Sequence, residues 1–288
     1  MPELPEVETI RRSLAPTLIN RQITHVDVLT SGVLIQDNLP HTGWQIQVID
    51  RRGKYLIFQL RMMVPHASGI KAGYEARLII HLRMTGQLLI RTSESIPAKH
   101  THIRIRLDDS QMQPVWLDFN DTRRFGRFWL LDVPSGQLPA GLATLGPEPL
   151  DDAFTPASLA GQLRSHAKLP LKAALLNQTI VAGLGNIYAD EALFAAGLAP
   201  MRLVGSLTTP EIDRLTRSIR RILSLAVDLA GTTLSDYVDG WNRKGRFQEQ
   251  LCAYGRNGMA CRVCQTPLKS IRLAGRTTCW CPSCQPEI

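Results

Sequence analysis

Cysteine is absent from the first 251 residues of this 288-residue chain, and all six cysteines lie between Cys252 and Cys284. This distribution argues against disulfides spread along the chain, because such a framework needs cysteines in every part that it holds together. It favours a local metal site near the C-terminus.

Long apolar runs are also missing. No stretch approaches the roughly 20 residues of a membrane-spanning helix, and the first residues lack the basic and then apolar pattern of a signal peptide. Acidic residues are outnumbered, 25 against 33 Lys and Arg, which gives a net charge of +8 and a pI near 9.4. We therefore expect a soluble, cytoplasmic protein with no membrane partner that binds a polyanion, with nucleic acid as the first candidate. Nothing in the sequence requires oligomerisation, so a monomer is expected.

Four of the cysteines form two Cys-x2-Cys pairs, at Cys261 and Cys264 and at Cys281 and Cys284. This spacing is typical of a zinc ribbon or hairpin, and four thiolate ligands leave no open coordination position for catalysis. The sequence therefore predicts one structural Zn²⁺. Four free thiols or redox pairs are the alternatives.

The N-terminus offers a second kind of chemistry. If Met1 is removed, Pro2 becomes a terminal secondary amine, and an amine of pKa about 8 is partly unprotonated near neutral pH. Such an amine can attack C1′ of a deoxyribose, with Glu3 and Glu6 as candidate proton shuttles. An ordinary helix start is the alternative, with Pro5 in the first turn and an apolar stripe at Val7, Ile10 and Leu14.

Period-two alternation of apolar and polar residues dominates the N-terminal part, most clearly in residues 102–107. The predicted strands are His102–Leu107, Val26–Ile35, Gln45–Ile49, Tyr55–Leu60, Leu78–Leu82, Gln87–Ile90, Val115–Phe119 and Phe128–Val133. So many short strands suggest a β-sandwich or barrel over residues 1–135. A Pro- and Gly-rich stretch, residues 136–152, is the predicted interdomain linker.

Helices are predicted over residues 153–238. Thr155-Pro156 and Thr209-Pro210 each place a capping residue before a proline. Residues 212–229 then carry an apolar face at helical spacing. The remaining residues, 239–288, form a basic C-terminal region that holds the cysteines. The expected fold class is therefore α+β with several domains.

Several motifs can contact nucleic acid. Gly183-x-Gly185-Asn186 opens a predicted helix, where backbone N–H groups favour phosphate, although an ordinary helix–helix turn is the alternative. Arg276 lies near the tip of the hairpin between the cysteine pairs and can clamp a phosphate, or remain a solvated arginine.

Two further motifs, residues 81–86 (HLRMTG) and 121–126 (DTRRFG), lie at strand ends. Met84 and Phe125 are large apolar residues that can wedge between base pairs, although core packing is their usual role. Lys54 can meet a phosphate or a damaged base, whereas a lysine before a strand is more often exposed.

Taken together, these motifs closely resemble the formamidopyrimidine-DNA glycosylase family, essentially end to end. The matching segments are Pro2–Arg12, Arg52–Leu56, His81–Gly86, Asp121–Gly126, Gly146–Leu150, Gly183–Glu191, Gly231–Leu234 and the four cysteines. The resemblance implies an N-terminal β-sandwich with an N-terminal helix, a helix–two-turns–helix domain and a C-terminal zinc finger. Damaged double-stranded DNA would bind across the cleft between the domains.

The resemblance also implies the roles of individual residues. Pro2 would be the Schiff-base nucleophile, Glu3 the acid/base and Glu6 a supporting residue, with Lys54 beside them. Phosphates around the lesion would be held by Lys54, His81, Asn186 and Arg276. Met84, Arg123 and Phe125 would fill the gap left by the everted nucleotide, and the remaining candidate DNA contacts are Arg124 and Tyr188.

The implied reaction is base excision repair of oxidised purines, 8-oxoguanine or formamidopyrimidines, by base removal and β,δ-elimination. A sister-group enzyme of the endonuclease VIII type, which prefers oxidised pyrimidines, is one alternative, and Leu4 and Arg123-Arg124-Phe125 argue against it. A non-catalytic binder of damaged DNA is another, against which the presence of Pro2 and Glu3 argues. One stretch departs from the family: K-P-G-Y-F is replaced by the longer Trp241–Phe247, in the loop that covers the everted purine in members of the family.

Overall fold

The computed structural model describes residues 1–36, 39–111 and 113–287. The chain forms two compact units. The sandwich unit comprises Met1–Ala143 and Ala230–Gly245, and the helical unit comprises Thr144–Leu229 and Arg246–Ile288. Residues 230–245 thus belong to the first unit although they follow the helices in sequence. Within the described ranges, no helix is both long and apolar enough to cross a bilayer.

The sandwich unit begins with helix α1 (Leu4–Leu18). Glu3 is its N-cap, and Pro5 lies in the first turn, where its missing N–H leaves no helical hydrogen bond unmade. Val7, Ile10 and Leu14 are each exposed by 1% or less. Their spacing places them on one helix face, which packs on the sheet as predicted.

Nine strands follow in this unit: β1 (Gln22–Val28), β2 (Leu34–Gln36), β3 (Trp44–Arg52), β4 (Tyr55–Met62), β5 (Glu75–His81), β6 (Gln87–Arg91), β7 (Thr101–Asp108), β8 (Pro114–Asn120) and β9 (Arg127–Asp132). Their hydrogen-bonded order is β2-β9-β5-β4-β3-β1-β7-β8-β6. Strands β1 and β3 share a single residue pair, Gln22 with Gln45. The sheet therefore folds over at this point into two layers.

The main apolar core lies between these two layers. It contains inward-facing residues of β3, β4 and β5, among them Ile46, Phe58 and Leu78, together with Ile105 and Leu117 of β7 and β8. Every second residue of a strand faces the same side, so the period-two pattern of the sequence fills the space between the layers. This confirms the predicted β-sandwich with an N-terminal helix.

The predicted continuous strand Val26–Ile35 is wrong. The chain leaves the sheet after Val28, turns through Gly32 with φ of +75°, and pairs again at Leu34, where β2 runs parallel to β9. Apolar residues at both ends of this turn made two strands resemble one. A short helix, α2 (Ala140–Ala143), also lies in the Pro- and Gly-rich stretch.

The helical unit contains α3 (Pro156–Leu163), α4 (Leu171–Leu176), α5 (Asn186–Ala196) and α6 (Thr209–Asp228). Thr208, one residue earlier than predicted, is the N-cap of α6, and its N–H donates to Glu211 at 2.8 Å. Leu215, Ile219 and Ala226 are fully buried on the predicted apolar face.

The C-terminal hairpin consists of β10 (Lys269–Leu273) and β11 (Arg276–Trp280). Ala274 and Gly275 connect the strands, both with positive φ, of +47° and +72°. Two such residues are typical of the tight turn that matches the twist of a hairpin. Arg276 follows this turn directly and is exposed.

Candidate active site and nucleic-acid interface

The N-terminal residues of the sandwich unit are held in place by one carboxylate. Glu6 Oε2 accepts the N–H of Glu3 at 2.8 Å, and Glu6 Oε1 accepts the N–H of Thr232 at 2.7 Å. Pro2 and Glu3 are buried, while Met1 before them is 44% exposed. With an oxygen bound to each of two backbone segments, Glu6 is suited to positioning Pro2 and Glu3.

The contact with Thr232 depends on the glycine before it. Gly231 has φ of +79°, and a Cβ at this position would lie 2.9 Å from Glu6 Oε1, so a side chain would displace the carboxylate. Tyr237 is buried beside it, and burial followed by the charge of Glu6 raises the pKa of its phenol. The hydrogen bond between Thr232 and Glu6 joins residues 226 positions apart, which is why no local pattern in the sequence reveals it.

Lys54 and His81 lie at the same end of adjacent strands. Gly53 and Lys54 form the two-residue turn between β3 and β4, and the following Tyr55 pairs with His81 across the sheet. Both side chains are buried, with exposures of 7% and 8%, so the expectation of a solvent-exposed lysine does not hold.

His81 is a neutral hydrogen-bond donor. Its Nδ1 accepts the N–H of Arg83 at 3.0 Å. Burial, and then the positive charges of Arg83 and Lys54, lowers the pKa of the imidazole to about 3. The ring is therefore uncharged at neutral pH and carries its proton on Nε2, which can donate to an anionic oxygen.

A cluster that the sequence analysis did not identify surrounds Glu8. Its carboxylate binds Arg11 and Arg12 at 2.8 Å each and Arg51 at 3.3 Å. Burial alone would raise the pKa of Glu8, but the hydrogen bonds from Arg11 and Arg12 and the nearby charges lower it to about 2. Arg51 also donates to the carbonyl of Gly53 at 3.1 Å, so the cluster connects α1 to the turn that precedes β4.

The predicted wedge residues lie in two turns of the sandwich unit, the Met84 turn (residues 82–86) and the Phe125 turn (residues 121–126). Met84 is partly exposed, and Arg123 and Arg124 are exposed. Phe125 is 47% exposed, and the guanidinium of Arg123 lies 4.7 Å from its ring centroid. Phe125 is therefore not a core residue, and the cation–π contact holds both side chains together at the surface.

The stretch that departs from the family pattern begins in a tight turn of the sandwich unit, to which its residues up to Gly245 belong. Asp239 Oδ1 accepts the N–H groups of Trp241 and Arg243 at 2.9 and 2.8 Å. The N–H of Gly240 donates to Ser13 of α1 at 2.9 Å. Trp241 is 38% exposed, so this turn presents an indole ring at the surface.

In the helical unit, α5 contacts the C-terminal hairpin. Asn186 Nδ2 donates to the carbonyl of Thr277 at 3.1 Å, and Asp190 accepts both the buried ammonium of Lys172 at 2.6 Å and the N–H of Cys279. The helix start predicted at Asn186 and the hairpin that carries Arg276 are thus parts of one structure.

Tyr188, one of the candidate DNA contacts, is fully buried. Its ring packs on Phe247 with centroids 5.3 Å apart. The side chain therefore belongs to the core of the helical unit, and a contact of Tyr188 with DNA is restricted to its backbone.

Glu191, the residue after Asp190, organises the segment that leads to the cysteines. Its two carboxylate oxygens accept the N–H groups of Cys252, Ala253 and Tyr254 at 2.8–2.9 Å. A buried carboxylate with three donors fixes the path of this segment. The sequence gives no signal for it beyond an acidic pair inside a helix.

The four predicted ligands converge, with the sulfurs of Cys261, Cys264, Cys281 and Cys284 all within 4.8 Å of one another. Each Cys-x2-Cys pair also directs a backbone N–H at the sulfur of its first cysteine: Val263 N lies 3.4 Å from Cys261 Sγ, and Cys284 N lies 3.3 Å from Cys281 Sγ. These donors stabilise thiolates, so the cluster can hold a metal ion and the donor set fits Zn²⁺.

Comparisons with known proteins agree with this architecture. Residues 1–128 match the formamidopyrimidine-DNA glycosylase N-terminal domain, and residues 145–238 match the formamidopyrimidine-DNA glycosylase H2TH domain. With the fold and the site, these matches define a glycosylase of the DNA-repair class. The chain belongs to the formamidopyrimidine-DNA glycosylase family, which confirms the resemblance seen in the sequence.

Individual relatives are similar over almost the whole chain. A formamidopyrimidine-DNA glycosylase of Symbiobacterium thermophilum is 44% identical, over 99% of this chain and 90% of the relative. Wild-type Fpg (MutM) of Lactococcus lactis in complex with DNA containing N7-benzyl-Fapy-dG superposes with a TM-score of 0.86 at 35% identity, over 99% of this chain and 100% of that chain. MutM in complex with DNA containing carbocyclic 8-oxo-G gives a TM-score of 0.84 at 35% identity, with the same coverage.

Proposed function

We propose that this protein is a bifunctional DNA glycosylase and AP lyase that excises oxidised purines from duplex DNA. The observation that carries the proposal is the buried Pro2–Glu3 pair, positioned by the hydrogen bonds of Glu6 to Glu3 and Thr232. A protein that only binds damaged DNA has no need of a placed N-terminal proline. Similar proteins bound to Fapy-dG and 8-oxo-G DNA support the choice of oxidised purines.

The reaction begins after removal of Met1, which leaves Pro2 as a secondary amine. Its nitrogen attacks C1′ and loses its proton, the bond from C1′ to the base breaks, and the base takes up a proton as it leaves. Glu3 donates a proton to the sugar ring oxygen, so the ring opens and an iminium forms between Pro2 and C1′. Loss of a C2′ proton expels the 3′ phosphate, a second elimination expels the 5′ phosphate, and water releases the sugar fragment from Pro2.

The target nucleotide must leave the stack before Pro2 can reach C1′. In our proposal Lys54, neutral His81, Asn186 and Arg276 hold phosphates around the lesion. Met84, Arg123 and Phe125 fill the space that the nucleotide leaves. The exposure of Phe125 and the cation–π contact of Arg123 support this assignment. Arg124 is a further exposed cation for the DNA backbone.

Zinc has a structural role in this proposal. One Zn²⁺ bound by Cys261, Cys264, Cys281 and Cys284 fixes the hairpin that presents Arg276, and it takes no part in the chemistry. We propose that the protein acts on damaged duplex DNA as a monomer. Of the domains predicted from the sequence, 1–135 supplies catalysis, 153–238 binds the DNA backbone and 239–288 supplies the hairpin, while residues 230–245 pack with the sandwich unit.

The test is borohydride trapping on a labelled duplex with 8-oxoguanine opposite cytosine. Untagged protein is expected to give a covalent adduct and β,δ-elimination products. Pro2→Gly, or a tag that blocks the N-terminus, is expected to abolish the adduct while DNA binding is retained. Undiminished strand cleavage by the blocked protein would refute the role of Pro2.

The lesion range needs its own control, because Trp241–Phe247 departs from the family pattern. A duplex with an oxidised pyrimidine and a duplex with a preformed abasic site are tested in parallel. Faster excision of the pyrimidine contradicts the proposed substrate class. Trapping on the abasic duplex alone retains the lyase chemistry and contradicts the oxidised-purine specificity.

A further inference from the structure

The Met84 turn and the Phe125 turn have the same local backbone conformation before their large apolar residue. In each, an arginine with left-handed backbone precedes the large apolar residue: Arg83 before Met84 and Arg124 before Phe125, both with φ of +58°. This conformation is uncommon outside glycine and persists where surrounding contacts enforce it. Each turn therefore needs something that holds it.

A single carboxylate holds both turns. Asp121 Oδ1 accepts the hydroxyl of Thr85, the residue after Met84, and also the N–H of Arg123 at 3.1 Å. Its Oδ2 accepts the N–H of Gly126 at 2.8 Å. Asp121 is fully buried, so both oxygens depend on these donors rather than on water.

The backbone of Asp121 is held by residues at the start of β7. Its N–H donates to the carbonyl of His100 at 3.0 Å, and its carbonyl lies 2.7 Å from His102 Nε2. The second ring nitrogen of His102, Nδ1, lies 2.8 Å from the hydroxyl of Thr30. With Nε2 as donor and Nδ1 as acceptor, both ring nitrogens of His102 have a hydrogen-bond partner. These bonds hold the backbone of Asp121 in place, and therefore the position from which its carboxylate extends.

We propose that Asp121, through the hydroxyl of Thr85, is a positioning residue that couples the Met84 turn to the Phe125 turn, so that both wedges enter the duplex together. The inference rests on the proposed function, because it assumes that Met84 and Phe125 fill the gap in DNA. Without the Thr85 hydroxyl, one turn loses its bond to the shared carboxylate and the two turns move independently.

The key substitution is Thr85→Val, which keeps the shape of the side chain and removes the hydroxyl. Thr85→Ser restores the hydroxyl without the methyl group. Thr92→Val is the matched control, because Thr92 is an exposed threonine that lies outside both turns. Asp121→Asn places an amide N–H against a backbone N–H and risks misfolding, so the threonine series is the primary test.

Insertion is measured apart from chemistry. The probe is a duplex with a tetrahydrofuran abasic analogue and 2-aminopurine as the neighbouring base in the complementary strand, whose fluorescence rises when it is unstacked. The values of kcat and KM are measured on an 8-oxoguanine duplex. Thr85→Val is expected to slow the fluorescence rise and to lower kcat about tenfold, the effect of one hydrogen bond to a charged group. KM stays nearly constant, Thr85→Ser is within about twofold of wild type by the same reasoning, and Thr92→Val is unchanged.

A double-mutant cycle of Met84→Ala and Phe125→Ala tests the coupling itself. In the wild-type background the two effects on the insertion rate are expected to be non-multiplicative, and in the Thr85→Val background they become multiplicative. A purely structural role of Thr85 would leave the cycle unchanged.

Any of four results would overturn the inference: wild-type insertion by Thr85→Val, no rescue by Thr85→Ser, a cycle that Thr85→Val does not alter, or no fluorescence rise with the wild-type protein. Normal insertion that Thr85→Val impairs, combined with no borohydride adduct on any duplex, supports the inference and refutes the proposed chemistry.

Discussion

At the scale of single residues, the Met84 turn and the Phe125 turn each end at a glycine that admits no side chain. A Cβ on Gly126 would collide with Cζ of Phe119 and lie 3.3 Å from Asp121 Oδ2. Phe119 is a core residue with 1% exposure, so it cannot move aside cheaply. A methyl group at this position therefore disturbs the core and the carboxylate that holds the turn.

We expect Gly126→Ala to lower the free energy of unfolding by about 1–3 kcal/mol, the usual cost of overpacking a core. Urea denaturation, followed through the sandwich unit, measures it. Gly161→Ala is the control for the same chemical change, because a Cβ on Gly161 in α3 meets nothing within 4 Å, and there we expect stabilisation by about 0.5–1 kcal/mol. Equal stability of wild type and Gly126→Ala would show that the turn is not constrained in this way.

His81 makes stability depend on pH. Burial and the charges of Arg83 and Lys54 lower its pKa to about 3 in the folded protein, against about 6.5 in an unfolded chain. Between these values the unfolded chain binds more protons, so the free energy of unfolding falls as the pH is lowered from about 6.5 towards 3. Above pH 6.5 His81 is neutral in both states, so it no longer makes the free energy of unfolding depend on pH.

We expect His81→Gln to flatten the pH dependence of unfolding between pH 6.5 and 3, because glutamine takes up no proton in this range. NMR titration of the His81 ring in the wild-type protein provides a direct check. A ring that titrates near pH 6.5 would contradict the neutral donor that we assign to it.

At the scale of elements, the sequence identified almost every helix and strand, because period-two and helical patterns are local. It merged β1 and β2, since the break at Gly32 lies between apolar residues. The parallel pairing of β2 with β9 and the single β1–β3 pair that folds the sheet are long-range features, which local patterns do not encode.

The residues of the candidate site also fall into two groups, those that local sequence patterns reveal and those that only the structure reveals. Motif residues such as Pro2, Glu3 and the four cysteines are visible in the sequence because their chemistry or spacing is unusual. Asp121, Glu8 and Glu191 are ordinary acidic residues until folding adds a distant donor to each. These distant donors are Thr85 for Asp121, Arg51 for Glu8 and the backbone from Cys252 onwards for Glu191, and only the structure shows them.

The C-terminal hairpin gives a prediction at this scale. We expect Cys281→Ser to lose bound zinc and to expose the amides of β10 and β11 to hydrogen exchange, because a structural zinc site contributes folding energy to a small module. Cys279→Ser is the control: Cys279 is buried, but it lies outside the ligand cluster.

Metal content by mass spectrometry and the tetrahedral absorption of a cobalt-substituted protein report the ligand set. Full metal content in Cys281→Ser, or metal loss in Cys279→Ser, would contradict the assignment of Cys261, Cys264, Cys281 and Cys284.

At the scale of the whole molecule, a net charge of +8 draws DNA without selecting a site on the protein. Binding to phosphates releases counterions, so log K falls with log[salt] by about 0.9 for each phosphate that is neutralised. Overall charge and a specific contact are therefore separable, since removal of any arginine changes the first but only a contacting arginine changes the slope.

Arg276 and Arg217 are suited to this comparison. Arg276 is exposed directly after the hairpin turn, whereas Arg217 on α6 is 72% exposed and pairs with Asp213 at 2.6 Å. We expect Arg276→Ala to reduce the slope of log K against log[salt] by about 0.9 and Arg217→Ala to leave it nearly unchanged. Both variants carry the same net charge, so fluorescence anisotropy with an abasic-analogue duplex from 50 to 200 mM salt, a range in which phosphate contacts weaken binding strongly, separates contact from general attraction. Equal slopes for the two variants would remove Arg276 from the phosphate contacts and leave its hairpin without a role in DNA binding.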